Sequence, residues 1–278
     1  ASGSDIHRVI QIDFSSISAF LKGLSTYPQP LRLRLRIFNI FFLYKHTHQA
    51  VRKGELSTIM KLVFDKADLV KSVAIAMKAV SGKTTMPILQ CILIDATSNQ
   101  IKFTSNDMEL GIETIATGMI LERGMIALDA KIFSEIVRKL PDNQVTIETD
   151  ENLVTTITCE KAKFNIPGLS GEDFSYLPIL ETSDCVSISQ FTLKELIRQT
   201  IFSIAANENN KLMTGELFEI KDNTLRVVSL DGHRIAIRKM ELKASYPDRK
   251  VVVPGKTLNE ISKILSGEVD DQVDLYFS

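Results

Sequence analysis

Ala127-Leu128-Asp129-Ala130-Lys131 is echoed 125 residues later by Val252-Val253-Pro254-Gly255-Lys256, and Phe133, Ile136 and Leu140 are echoed by Leu258, Ile261 and Leu265 at the same offset. Each copy reads as a short strand running into a helix. In the first, Ile132, Phe133, Ile136, Val137 and Leu140 recur at the i, i+3, i+4 spacing of an apolar helix stripe. Upstream, each copy opens with an amphipathic helix, Asp65 to about Val80 and Thr192 to about Ala205. Two strands around a polar turn follow: Ile92–Asp95, Thr97–Gln100 and Ile101–Thr104 in one copy, Leu217–Ile220, Lys221–Asn223 and Leu225–Val228 in the other. An acidic turn, Asn106-Asp107 or Leu230-Asp231-Gly232, then leads into another alternating strand. A unit this long and varied is no solenoid repeat. It predicts two homologous α+β domains, each with two helices packed on antiparallel sheet. Alternation as in Val145-Thr146-Ile147-Glu148 implies a sheet with one face buried.

The domains are expected at residues 60–180 and 184–278, linked near Pro178 to Cys185. The second copy stops in the strand equivalent to Val145–Thr149, so it reads as incomplete and the chain as a fragment. Residues 1–59 read as an extension that is not a domain. They show no clean periodicity, and their apolar run Ile37–Tyr44 is far short of the ~20 residues of a membrane helix. Lys53-Gly54-Glu55 is compatible with a translated ribosome-binding site ahead of a native start at Met60. That reading is preferred over an organelle transit peptide, which the alternating Arg32, Arg34 and Arg36 superficially resemble.

Composition bounds the function. Hydrophobic residues are 44% and charged residues 24% of the chain, as in an ordinary globular protein. The overall charge of -1 divides into a basic extension and an acidic body of about -6 over residues 60–278, which excludes tight histone-like DNA binding. Cys91, Cys159 and Cys185 are odd in number and widely spaced, arguing for reduced thiols in a cytoplasmic protein and against a disulfide framework or zinc site. Cys91 and Cys159 are expected to be buried.

No catalytic constellation is legible, and no metal site or cofactor is expected. Ser81-Gly82-Lys83-Thr84 imitates the end of a phosphate loop but lacks its upstream glycine and strand. His233 is the sole histidine after residue 59, and Asp231-Gly232-His233-Arg234 lacks a nucleophile, so it reads as a turn between strands. An enzyme centred on His233 and a non-ring adaptor are the competing readings. Cations are more informative by position. Lys71 and Lys78, Lys131 and Arg138, Lys194 and Arg198, and Lys256 and Lys263 place a pair on each predicted helix, away from its apolar stripe. Lys131/Arg138 and Lys256/Lys263 match by repeat. Such faces suit a surface that follows phosphates without reading bases.

Met-Pro-Ile-Leu (86–89), Thr-Ser-Asn-Asp-Met-Glu (104–109), Val-Arg-Lys-Leu-Pro (137–141), Phe-Asn-Ile-Pro-Gly-Leu (164–169) with Glu-Asp-Phe (172–174), and Asp-Gly-His-Arg-Ile-Ala (231–236) resemble, in order and spacing, the landmarks of the bacterial sliding clamp, the beta subunit of DNA polymerase III. The resemblance covers residues 60–278. It implies the clamp fold, in which two chains of three domains each close head to tail as a homodimeric ring around duplex DNA, and a non-enzymatic processivity role. It also implies that a third domain is absent from this chain, which by itself should not close a ring. DNA contacts carry over to Lys83, Lys131, Ala206, Asn207, Lys211 and Leu212. A pocket for short hydrophobic peptides of DNA polymerase and the clamp loader carries over to Met213, Leu230, Gly232, His233, Arg234 and Ile235. Leu230 departs from the threonine frequent there, and the loop at 207–212 lacks the family's aromatics.

Overall fold

The computed structural model describes residues 8–12, 59–82, 84–175, 177, 185–206 and 211–276, without the side chains of residues 8–12 and Lys211. The expectations placed on Lys83, Asn207, the linker at 178–184 and most of the first 59 residues lie outside that description. The chain divides between Leu177 and Pro178 into two compact units.

In the first unit the strands are β1 (Arg8–Ile12), β2 (Met60–Asp65), β3 (Cys91–Asp95), β4 (Ile101–Asn106), β5 (Leu110–Ala116), β6 (Met119–Glu122), β7 (Met125–Asp129), β8 (Gln144–Thr149), β9 (Val154–Cys159) and β10 (Ala162–Ser170). They form one sheet in the order β1-β5-β4-β3-β7-β10-β9-β8-β2-β6. Strand β10 joins its halves: Ala162–Pro167 pair with β9, and Gly168–Ser170 pair with β7. Helices α1 (Lys66–Ala76) and α2 (Ala130–Lys139) bury Leu69, Val73, Phe133 and Val137 in one core with β2, β3, β4, β7, β8 and β9. Phe103 joins Phe64 and Phe133 there, in tilted and edge-to-face geometry.

Two expectations need correction. Strands β8 and β9 alternate as foreseen, but β3 and β7 are covered on both faces, because Phe174 and Ile88 pack on Cys91, Leu93, Met125 and Ala127 opposite the main core. Ile132, counted in the apolar stripe of α2, is 49% exposed, since Phe133, Val137 and Leu140 already fill the buried arc. Cys91 and Cys159 are buried.

The second unit holds β11 (Cys185–Ser189), α3 (Gln190–Thr200), β12 (Gly215–Leu230), β13 (Ile235–Pro254), α4 (Gly255–Ile264) and β14 (Gln272–Tyr276). Strand β11 pairs with β14 and β12 with β13, both antiparallel. Strand β12 is not straight. Its register breaks around Asp222, whose φ is +53°, and Glu219 pairs with Arg226 across the break. Thr200 bonds to Glu216 and to Ser229, residues that a straight strand would hold about 43 Å apart. The chain therefore doubles back at Lys221–Asn223, as the sequence repeat requires.

The frame recurs bond for bond. Helices α1 and α3 each stop and tighten into a 3-10 turn, freeing a carbonyl from the helical ladder. In the first unit Ser105 Oγ donates to Ala76 O at 2.6 Å; in the second Ser229 Oγ donates to Thr200 O at 2.5 Å, each across 29 residues. The loop that follows is closed by Ser81 N to Leu89 O (3.2 Å) and by Ala205 N to Met213 O (2.8 Å). Lys66 N to Asn143 O corresponds to Gln190 N to Asp271 O. Strands β9 and β10 have no counterpart among the described residues of the second unit.

Candidate functional sites

The Asp231–Arg234 turn is built by its first residue. Asp231 Oδ1 accepts from the backbone N–H groups of His233 and Arg234, both at 3.1 Å, and Gly232 takes a φ of +85° that side chains resist. Asp231 Oδ2 accepts from Arg234 Nε at 2.8 Å. The backbone bond from His233 foremost, against burial that pushes it up, and then the bonds and charge of Arg234, hold the Asp231 carboxyl below its ordinary range. Leu230 and Ile235 face each other in register at the strand ends. Ile235 is 59% exposed, and Ile237 on the same face is also exposed. His233 is exposed and held through its backbone.

Of the peptide-pocket positions, the turn thus brings together Leu230, Gly232, His233, Arg234 and Ile235. Met213 is half-buried in the 3-10 turn Lys211–Thr214, with its carbonyl engaged by Ala205. One residue escaped the sequence reading. The ring of Phe202, 58% exposed, lies 5.8 Å from the Arg234 guanidinium carbon. Phe202 lies inside the span expected to be helix up to about Ala205; the structure ends that helix at Thr200. The repeat held a signal, because the Ala76/Thr200 correspondence sets Phe202 opposite Lys78, a polar position.

The cations differ between units. On α2, Lys131 and Arg138 are exposed; Lys131 has no ion pair among the described residues, and Arg138 Nε bonds only the Ser134 carbonyl. Lys71 of α1 is exposed too. On α3, Arg198 grips Glu195 with both Nε and Nη2, and Lys194 donates to Leu265 O at 3.1 Å. That hydrogen bond from Arg198 holds the Glu195 carboxyl below its ordinary range. On α4, Lys263 pairs with Glu260 at 2.6 Å. A cationic pair was expected on every helix; carboxylates neutralise Arg198 and Lys263 in the second unit, whereas Lys131 has no such partner among the described residues. Ala206 is exposed and Leu212 half-buried, at the two ends of the loop that the Ala205–Met213 bond closes.

Behind the turn lies a buried carboxyl. Glu216 is fully buried; its Oε1 accepts from Thr200 Oγ1 at 2.8 Å and its Oε2 has no hydrogen-bond partner among the described residues. Burial pushes its pKa up to about 7, and the Thr200 bond offsets only part of that. Nearby on β12, burial raises the Glu219 pKa, but the hydrogen bond and charge of Lys250, with Arg226, outweigh it and leave the carboxyl below its ordinary value. Among the described residues no group of acidic, histidine and cysteine side chains could hold a metal, and no helix is long and apolar enough to cross a membrane.

Residues 60–178 match the family model described as the DNA polymerase III beta subunit, N-terminal domain, and residues 187–278 match that of its central domain. A curated relative, the beta sliding clamp of Halalkalibacterium halodurans, is 37% identical over 227 residues, covering 78% of this chain and 60% of the relative. Among solved structures, a DNA polymerase III beta subunit from Eubacterium rectale is 66% identical with a TM-score of 0.77, covering 79% of this chain and 62% of that one. The Bacillus subtilis DNA polymerase sliding clamp is 37% identical with a TM-score of 0.75, covering 79% and 60%. The chain thus spans about 60% of the length of the curated relatives it matches.

Proposed function

Because the chain belongs to the DNA polymerase III beta subunit family, the sliding clamps, we propose that residues 60–180 and 184–278 are two domains of a clamp that encircles duplex DNA and tethers the polymerase. The observation that carries the reading is the doubled frame, in which both second helices present an exposed lysine in the first turn, Lys131 and Lys256. A ring made of such units needs no tight DNA binding. Weak cationic contacts from Lys83, Lys131 and Lys211, with Ala206, Asn207 and Leu212 alongside, let it follow the phosphates, and the acidic remainder discourages stray binding. The role is mechanical and non-enzymatic, needs no cofactor, and belongs in the cytoplasm.

Partners reach the second domain. Leu230 and Ile235 offer an apolar surface at the turn, Met213 an adaptable liner, and Arg234 a polar rim, together with Gly232 and His233, for short hydrophobic peptides of the polymerase and clamp loader. In the full-length protein, a second copy joins at a strand edge of this chain. Ala162–Pro167 of β10 pair only with β9 among the described residues, and Phe164 is exposed there, a surface suited to strand pairing in a homodimeric ring.

Replacing Lys83, Lys131 and Lys211 together by Ala tests the DNA path. Fluorescence anisotropy with two unrelated duplexes should show weaker binding to both, with the log–log salt slope reduced by roughly one unit per lost phosphate contact. Weakening confined to one duplex would refute phosphate tracking.

A further inference from the structure

Arg234 is braced from two sides, and one brace is a residue with no other evident task. Its Nε is committed to Asp231 Oδ2 at 2.8 Å, while its guanidinium carbon stands 5.8 Å from the Phe202 ring centroid. Phe202 sits in the 3-10 turn Ile201–Ser203 after α3, on a different element from the Asp231–Arg234 turn. That turn is fixed to the strand beneath the pocket, because Ser229 Oγ bonds Thr200 O at 2.5 Å and Thr200 Oγ1 bonds Glu216. A 58% exposed phenylalanine buries little area of its own, so core packing does not explain it. At an exposed site an arginine loses considerable side-chain freedom when a ligand holds it. A stacked ring and a carboxylate together remove that freedom beforehand. They leave the two Nη groups, which make no hydrogen bond among the described residues, as donors toward an acceptor.

We propose that Phe202 is a positioning residue of the partner pocket, holding the Arg234 guanidinium with its Nη groups available to a carboxylate or carbonyl of the bound peptide. The inference rests on the pocket reading given above and deepens it: partner peptides present a hydrogen-bond acceptor beside their hydrophobic anchor.

The test uses the whole chain as wild type, Phe202→Leu, Phe202→Tyr, Arg234→Ala and the Phe202→Leu/Arg234→Ala double variant. The probe is a fluorescent tetrapeptide of two leucines, one phenylalanine and one aspartate, and 15N NMR of arginine Nε reads Arg234 directly. Phe202→Leu should abolish the ring-current shift of Arg234 and weaken the peptide roughly two- to fivefold, the range of an exposed cation–π contact. Phe202→Tyr should retain both signals. In the Arg234→Ala background, Phe202→Leu should cost nothing further, which a merely structural role would not produce. If Arg234→Ala weakens the peptide while Phe202→Leu is neutral, or if the two losses simply add, the brace is overturned and the pocket stands. If Arg234→Ala leaves peptide affinity intact, the assignment of Arg234 to the pocket falls, and the positioning role with it.

Discussion

The turns Asp107–Leu110 and Asp231–Arg234 are built alike. In each, the aspartate accepts from the backbone N–H groups two and three residues on, and its own N–H reaches the carbonyl of the fourth residue. The second residue is left-handed in both, Met108 at +75° and Gly232 at +85°. Their surroundings are opposite. In the first unit Leu110 is buried, and a Cβ on Gly111 would meet Leu177 at 2.3 Å. In the second unit the same two positions are the exposed Arg234 and Ile235. One frame is closed over by its own chain and the other is left open. Function is thus to be sought where a shared frame carries residues it does not need. The interiors differ as well. Ala76 and Ile92 occupy one unit where Thr200 and Glu216 occupy the other, an apolar pair against a hydrogen-bonded polar one.

The largest expected effect tests that interior difference. The Glu216 pKa rises from an ordinary 4.5 to about 7 on folding, so its neutral form favours the native state. That contribution is complete below pH 4.5 and is lost as the pH rises through about 7. It amounts to on the order of 3 kcal/mol. Urea denaturation between pH 4.5 and 8 should show this decline in wild type and a flatter profile in Glu216→Gln. Parallel profiles would mean that Glu216 is solvated in the folded chain.

Next comes the open turn. Arg234→Ala and Ile235→Ala should each reduce affinity for a partner peptide by ~1 to 3 kcal/mol, with melting temperature nearly unchanged, as truncated interface anchors do. A large fall in melting temperature with affinity kept would return these residues to the domain's own core.

The smallest effect concerns the closed turn. Met108 pays a left-handed backbone cost that Gly232 avoids, so Met108→Gly should raise stability by about 0.5 to 1 kcal/mol in denaturant unfolding. A loss would show that the Met108 side chain contributes more than its backbone strain removes.

How much of this was legible follows from what a sequence pattern records. The repeat showed because apolar positions at fixed offsets must fill equivalent cores; Phe133 and Leu258 are both buried. The turn at Asp231-Gly232 was readable from its residue types alone. What escaped involves pairings between distant elements. Ser229 on Thr200 and Phe202 on Arg234 leave no local period, and the carboxylates that neutralise Arg198 and Lys263 belong to geometry, although their i, i+3 spacing was in view. The double coverage of β3 and β7 depended on Phe174, which lies three strands beyond β7 and carries no signal of where it folds back.

The contrast in helix charge offers the most direct test of a clamp that tracks phosphates. Duplex binding at low salt should be measured for Lys131→Glu, which reverses an unpaired cation on α2, and for Lys263→Glu, which reverses one already held by Glu260. Lys131→Glu should weaken binding and lower the salt slope clearly more than Lys263→Glu, on duplexes of any sequence. Equal losses from the two variants, or a loss seen on one base sequence alone, would contradict it.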